Sequence, residues 1–252
     1  AAIAAQGIVM VSINYRLGAL GVMWCDGGDA NCGLWDAVRA LEWTRENITN
    51  FNGDPDNITI AGESAGAGAT ACLVASPVAN KLFRRAIAMS AVAHCTDDEA
   101  SAKMKTDQFS RSLGLSSSDL VSFQQPQADL ILQTQGGLAD QALDQDFVVA
   151  MSTPGWSGPK LEHLRLSHEP ANETGIHYIQ AGPSGSSRVH GFSPCVDGEL
   201  LPAHPLDLIA QGSAAHIDLM VGSNREENGF RADKRDPEVS AALTYGAKVE
   251  SW

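Results

Sequence analysis

The chain has 252 residues, 44% of them hydrophobic and 19% charged, enough to bury a real core in one large domain or two small ones. Its formal charge of -13 opposes nucleic-acid phosphates and anionic membranes, so a nucleic-acid role is set aside. No apolar run reaches transmembrane length.

The first residues, AAIAAQGIVMVSI, lack a basic n-region and an initiator Met. They read as the end of a helix entering a strand, not as a signal peptide, and upstream sequence is expected. Gly7 to Ile13 is a continuous β-rich apolar run, the pattern of a strand buried on both faces of a parallel sheet. A glycine-rich loop follows through Gly28. Asn31 is placed to cap a helix of about five turns, in which Leu34, Val38 and Leu41 recur at helical spacing and Trp35 and Ala37 widen the stripe. The turn cluster FNGDPDN ends it.

Asn57 to Ala61 is the next strand, Ala65 to Ala75 the next helix, and Arg85 to Ser90 a third strand. This alternation is the α/β pattern. From Thr96 to about Gln135 the chain changes to helix and loop, and residues 152–190 are rich in Gly, Pro and Ser with no clear period. Residues 96–190 therefore read as a mostly helical and loop insertion over the sheet, with Trp156 as one lone candidate for a pocket wall. Order returns with the helix PLDLIAQG and the strand Ile217 to Gly222. With no repeats and no low-complexity linker, residues 1–252 read as a single segment of one domain.

Five cysteines contain no CxxC pair, so no zinc or other metal site is expected. Cys25 and Cys32 flank the polar loop DGGDAN and read equally as a small disulfide or as two free thiols. Asn47, Asn57 and Asn172 each begin a formal glycosylation sequon.

Gly62-Glu63-Ser64-Ala65-Gly66 is G-x-S-x-G between a predicted strand and a predicted helix, the setting of a nucleophile elbow. Strained backbone angles at Ser64 are expected there, with both glycines needed because a Cβ would crowd the neighbouring strand or helix. The Ala65 N–H, at the helix start, is then a donor to a developing oxyanion.

Several blocks in order resemble the type B carboxylesterases, which include the cholinesterases. They are NYRLGALG, ANCGLWDAVRALEWTRENI, FNGDPDNITIAGESAGAG, LFRRAIAMSA, SPCVDGELLP and GSNREENG. Asn52, Ala30, Ala37, Met89 and Ala91 depart from the family's usual residues, and residues 96–190 carry no matched motif. The resemblance implies an α/β-hydrolase fold: a mostly parallel central sheet flanked by helices, here incomplete at both ends. It implies a serine hydrolase acting on small-molecule carboxylic esters, with Ser64 as nucleophile and no cofactor. The acid falls in GSNREENG, at Glu227 by register, with its neighbour Glu226 as the fallback. Both Ser64 and this acid are expected at the carboxyl edge of one sheet, with room for one imidazole between them. Ser90 matches a serine of the family that stands either as a partner of the acid or as a plain strand-end hydroxyl.

The family's histidine lies well beyond the acid, and its glycine-rich oxyanion loop lies before NYR. All seven histidines here precede Glu227. The expectation is an internal segment of a longer esterase, with little activity by itself. A non-catalytic, cholinesterase-like binding or adhesion domain is the alternative. The retained GESAG ranks it below the enzyme.

Overall fold

The computed structural model describes residues 2–91, 96–135 and 192–224, together with the backbone of 165–166 and 179–180. Three five-residue strands, β1 (Thr59–Glu63), β2 (Arg85–Met89) and β5 (Asp218–Gly222), form a parallel sheet in the order β1-β2-β5. Two-residue strands β3 (Arg165–Leu166) and β4 (Ile179–Gln180) pair antiparallel on their own. The helices are α1 (Ala19–Val22), α2 (Cys32–Asn47), α3 (Ala65–Ala75), α4 (Glu99–Ser112), α5 (Leu120–Phe123), α6 over residues 128–135, and α7 (Pro205–Ala210). None of these is long and apolar enough to cross a membrane.

The main core lies where α2, α3 and α7 meet the sheet. The stripe Leu34, Ala37, Val38 and Leu41 of α2 is buried against Leu73, Val74, Phe83, Ala86 and the pair Leu200 and Leu201. Helix α3 is apolar on every side, as a helix wedged between a sheet and other helices must be. Its small residues allow close approach to β1 and β2. A second cluster gathers Ala19, Cys25, Phe109, Phe123 and Ile131, with Phe192 edge-on to Phe109 at 5.1 Å. It ties α1 to α4, α5 and α6. Beside it, Asp97 pairs with Lys105 at 2.6 Å.

Two expectations are corrected. Gly7–Ile13 is not a buried strand: it is unpaired among the described residues, and Ile8, Val9 and Met10 are exposed. A strand needs a ladder partner, and no described residue supplies one. What holds this stretch is its far end. The Asp36 carboxylate accepts from the Arg16 backbone N–H at 2.9 Å and from its guanidinium at 2.8 and 2.6 Å. The Arg16 carbonyl meets the α carbons of Gly21 and Gly33 so closely that a Cβ on either would overlap it. This contact explains glycines in both the NYRLGALG and the ANCGL blocks.

Asn31 precedes α2 but does not cap it with its side chain. It is fully buried, with φ 55°. Its Nδ2 donates to Cys195 O at 2.8 Å and to Asp197 Oδ2 at 2.6 Å, and its Oδ1 accepts from Cys195 N–H at 2.9 Å. The cap position is thus used to fasten residues 195–197 to the start of α2. Burial, together with the nearby Asp197 and Asp97 charges, pushes the Cys195 thiol up to about 12, which keeps it protonated in this joint.

Candidate active site

The site is built on the sheet register. Glu63 pairs with Met89, and Met89 with Gly222, so all three strands end level. The next residues, Ser64, Ser90 and Ser223, follow at one carboxyl edge. Two backbone bonds extend the ladder past the strands: Ser64 N–H to Met89 O at 3.0 Å, and Ser90 N–H to Gly222 O at 2.7 Å. In parallel α/β sheets this edge is where the chain can present side chains to a ligand.

Ser64 sits between β1 and α3 with φ 53° and ψ -116°, a conformation that L residues rarely adopt. The expected strain at the serine is present. It arises because the chain leaves a strand and enters a helix with a single residue between. Gly62 is what allows it. A Cβ there would overlap the Gly66 carbonyl oxygen and crowd the Ala67 nitrogen. Gly66 itself is different: a Cβ on it meets nothing within 4 Å among the described residues. Among the described residues, the expected packing demand falls on Gly62 and not on Gly66.

The Ser64 side chain is exposed and makes no hydrogen bond to a described residue. Ala65 is the first residue of α3, so its N–H belongs to the helix's unsatisfied first turn. The Ser64 hydroxyl and this N–H thus stand on consecutive residues, at the positive end of a helix of eleven residues. Sequence reasoning passed over the backbone of Ser90, which at φ 57° is also left-handed. The MSA block carries no glycine that would have signalled it.

Glu226 and Glu227 follow β5 in the chain and lie outside the described residues, as do His94, His163, His168, His177, His190 and Trp156. Two histidines are described. His216 precedes β5 and has a ring nitrogen 3.1 Å from Asn80 O. A five-residue strand is about 13 Å long, which puts His216 at the edge opposite Ser64. His204 is buried, and its Nδ1 accepts from Leu206 N–H at the start of α7. Neither is presented beside Ser64. Cys25 and Cys32 are free thiols in this structure.

Comparison with known proteins agrees with this geometry. The model of the carboxylesterase family matches residues 1–248. The chain is 32% identical to Para-nitrobenzyl esterase of Bacillus subtilis (strain 168), over 98% of this chain and 43% of that protein. It is 32% identical to Liver carboxylesterase of Sus scrofa, over 89% of this chain and 35% of that protein. A solved PNB esterase structure superposes with TM-score 0.66 at 27% identity, covering 93% of this chain and 42% of the other. The chain spans less than half the length of these relatives. The parallel sheet, the helices around it and the elbow at its edge are those of the α/β-hydrolase fold, and the chain belongs to the carboxylesterase family.

Proposed function

We propose that the protein containing this chain hydrolyses small-molecule carboxylic esters through an acyl-enzyme on Ser64. The observation that carries this reading is the exposed Ser64, held at positive φ in the strand-to-helix turn, with the Ala65 N–H beside it. A serine hydroxyl is a weak nucleophile until a base takes its proton, and the base needs an orienting carboxylate. We assign the carboxylate to Glu227, which comes after β5 in the chain, and β5 ends at the edge where Ser64 stands; Glu226 is the alternative. The base is a histidine, and the reading assigns that role to none of the seven in this sequence.

In the reaction, Ser64 Oγ attacks the ester carbonyl as the base removes its proton. The carbonyl oxygen gains the charge, and the Ala65 N–H donates to it. Glu227 stabilises the imidazolium. The tetrahedral intermediate collapses, the alcohol leaves with the proton from the base, and the acyl group remains on Ser64. Water, activated by the same base, then attacks the acyl carbonyl and releases the acid.

A fluorophosphonate probe on the full-length protein tests this directly. The expected result is one labelled site, on the peptide that contains Ser64, lost in Ser64→Ala. Turnover of a short-chain ester should fall with it by roughly five orders of magnitude. A folded full-length protein that takes no label would instead support a binding domain on an esterase scaffold.

A further inference from the structure

Cys25 and Cys32 bound the loop that joins α1 to α2. Cys25 is buried and Cys32 partly exposed. The loop doubles back at once: Gly28 N–H donates to Cys25 O at 3.1 Å, and Gly27 has φ 77°. The Cys25 sulfur lies against Gly28, where an added Cβ would stand 2.6 Å from it. The Cys32 thiol donates to Asp29 O at 3.1 Å. Both sulfurs therefore point into one loop and rest on consecutive residues, 28 and 29. A thiolate at Cys32 opposes ionisation at Cys25, second only to burial, so the two sulfurs are within electrostatic reach. Burial holds the Cys32 thiol above its ordinary range and Asp29 and Asp36 add to this, while Arg16, whose Nη2 is 3.4 Å from Cys32 O, opposes it. None of these groups takes part in the chemistry at Ser64.

We propose that Cys25 and Cys32 are a redox pair that closes an intramolecular disulfide around residues 26–31, with a low-molecular-weight disulfide as oxidant. Cys32 is the more exposed of the two residues, so it attacks first. Its thiolate displaces one thiolate from oxidised glutathione and forms a mixed disulfide. The Cys25 thiolate then attacks the Cys32 sulfur and releases the second glutathione. The two protein thiol protons end on the two glutathione thiolates. Two sulfurs of the protein are oxidised, and one glutathione disulfide is reduced to two thiols. The product ring ties Cys25, in the loop after α1, to the first residue of α2, beside the Asn31 joint.

Both cysteines fall in the single tryptic peptide Leu17–Arg39, which makes the test direct. Folded full-length protein is treated with oxidised glutathione, free thiols are alkylated, and the peptide is weighed. The expected peptide lacks two hydrogens, carries no glutathione and no alkyl group, and regains both thiols with dithiothreitol. Cys25→Ser is expected to stop at glutathione on Cys32, while Cys32→Ser leaves Cys25 alkylatable only after unfolding. A wild-type peptide alkylated at both cysteines, or carrying glutathione on Cys32 with Cys25 still free, overturns the proposal. The wild-type reading decides even if a variant fails to fold.

Discussion

Helices α2 and α3 both start on a non-glycine residue with positive φ, Asn31 at φ 55° and ψ 33° and Ser64 at φ 53° and ψ -116°, and neither side chain caps its own helix. Their surroundings are opposite. Asn31 is sealed from solvent, and its amide satisfies both backbone groups of Cys195 and one oxygen of Asp197. Ser64 is open to solvent, with no described partner for its hydroxyl. A positive φ thus accompanies a buried joint in one place and an exposed hydroxyl in the other. Backbone strain alone does not mark a reactive residue. Under the proposed function, strain together with an exposed side chain that bonds no described residue does.

Replacing the joint should produce the largest change in stability. Asn31→Ala strips partners from buried groups at residues 195–197 and leaves an alanine in a left-handed conformation. A loss of about 4 kcal/mol is expected from the two effects together. Asn31→Gly keeps the backbone comfortable and loses only the bonds, so it should cost about 1 kcal/mol less. Denaturant midpoints of the full-length protein measure both. If the two variants match Ser64→Ala in stability, the contrast between joint and nucleophile is wrong.

The elbow gives the next effect. Gly62→Ala drives a methyl group into the backbone of Gly66 and Ala67, atoms that have no rotamer by which to yield. It should cost about 3 kcal/mol and abolish probe labelling at Ser64 as the turn is displaced. Gly66→Ala enters open space in the first turn of α3 and should be neutral or stabilising by up to about 1 kcal/mol. Equal damage from both would restore the reading in which each glycine of the motif is required for packing.

These residues also show what a sequence can disclose. The strand and helix around Ser64 are legible because the β-branched run, the glycine and the small-residue helix all agree locally. Helix α3 was bounded at Ala65 and Ala75, as observed. The run Gly7–Ile13 has the same kind of composition but a different outcome, since composition states what a segment would bury and not what will pair with it. Asn31 was visible as a helix start. Its true role depends on residues 195–197, more than 160 positions away in the chain, and no local pattern carries that distance. The different demands on Gly62 and Gly66 likewise come from the path of the helix, which G-x-S-x-G does not encode.

The smallest loss of stability expected is at the clamp on Arg16, and its pH dependence is what identifies it. The Arg16 guanidinium, chiefly by hydrogen bonding, holds the Asp36 carboxyl below its ordinary range. A carboxyl with a lowered folded pKa contributes stability that is fully present above the unfolded value, about 3.9. That contribution is lost as pH falls through the lower folded value. The Arg16 side chain is 54% exposed, so solvent screens the pair and Asp36→Asn should cost only about 1 kcal/mol at neutral pH. Below about pH 4 the wild type should lose this advantage, and the two unfolding curves should converge. Arg16 should not leave its place in the variant, because its carbonyl stays packed on Gly21 and Gly33. Gly33→Ala attacks that packing instead, and its cost should be independent of pH. If Asp36→Asn and Gly33→Ala show the same pH dependence, the ion pair and the glycine packing are one interaction rather than two.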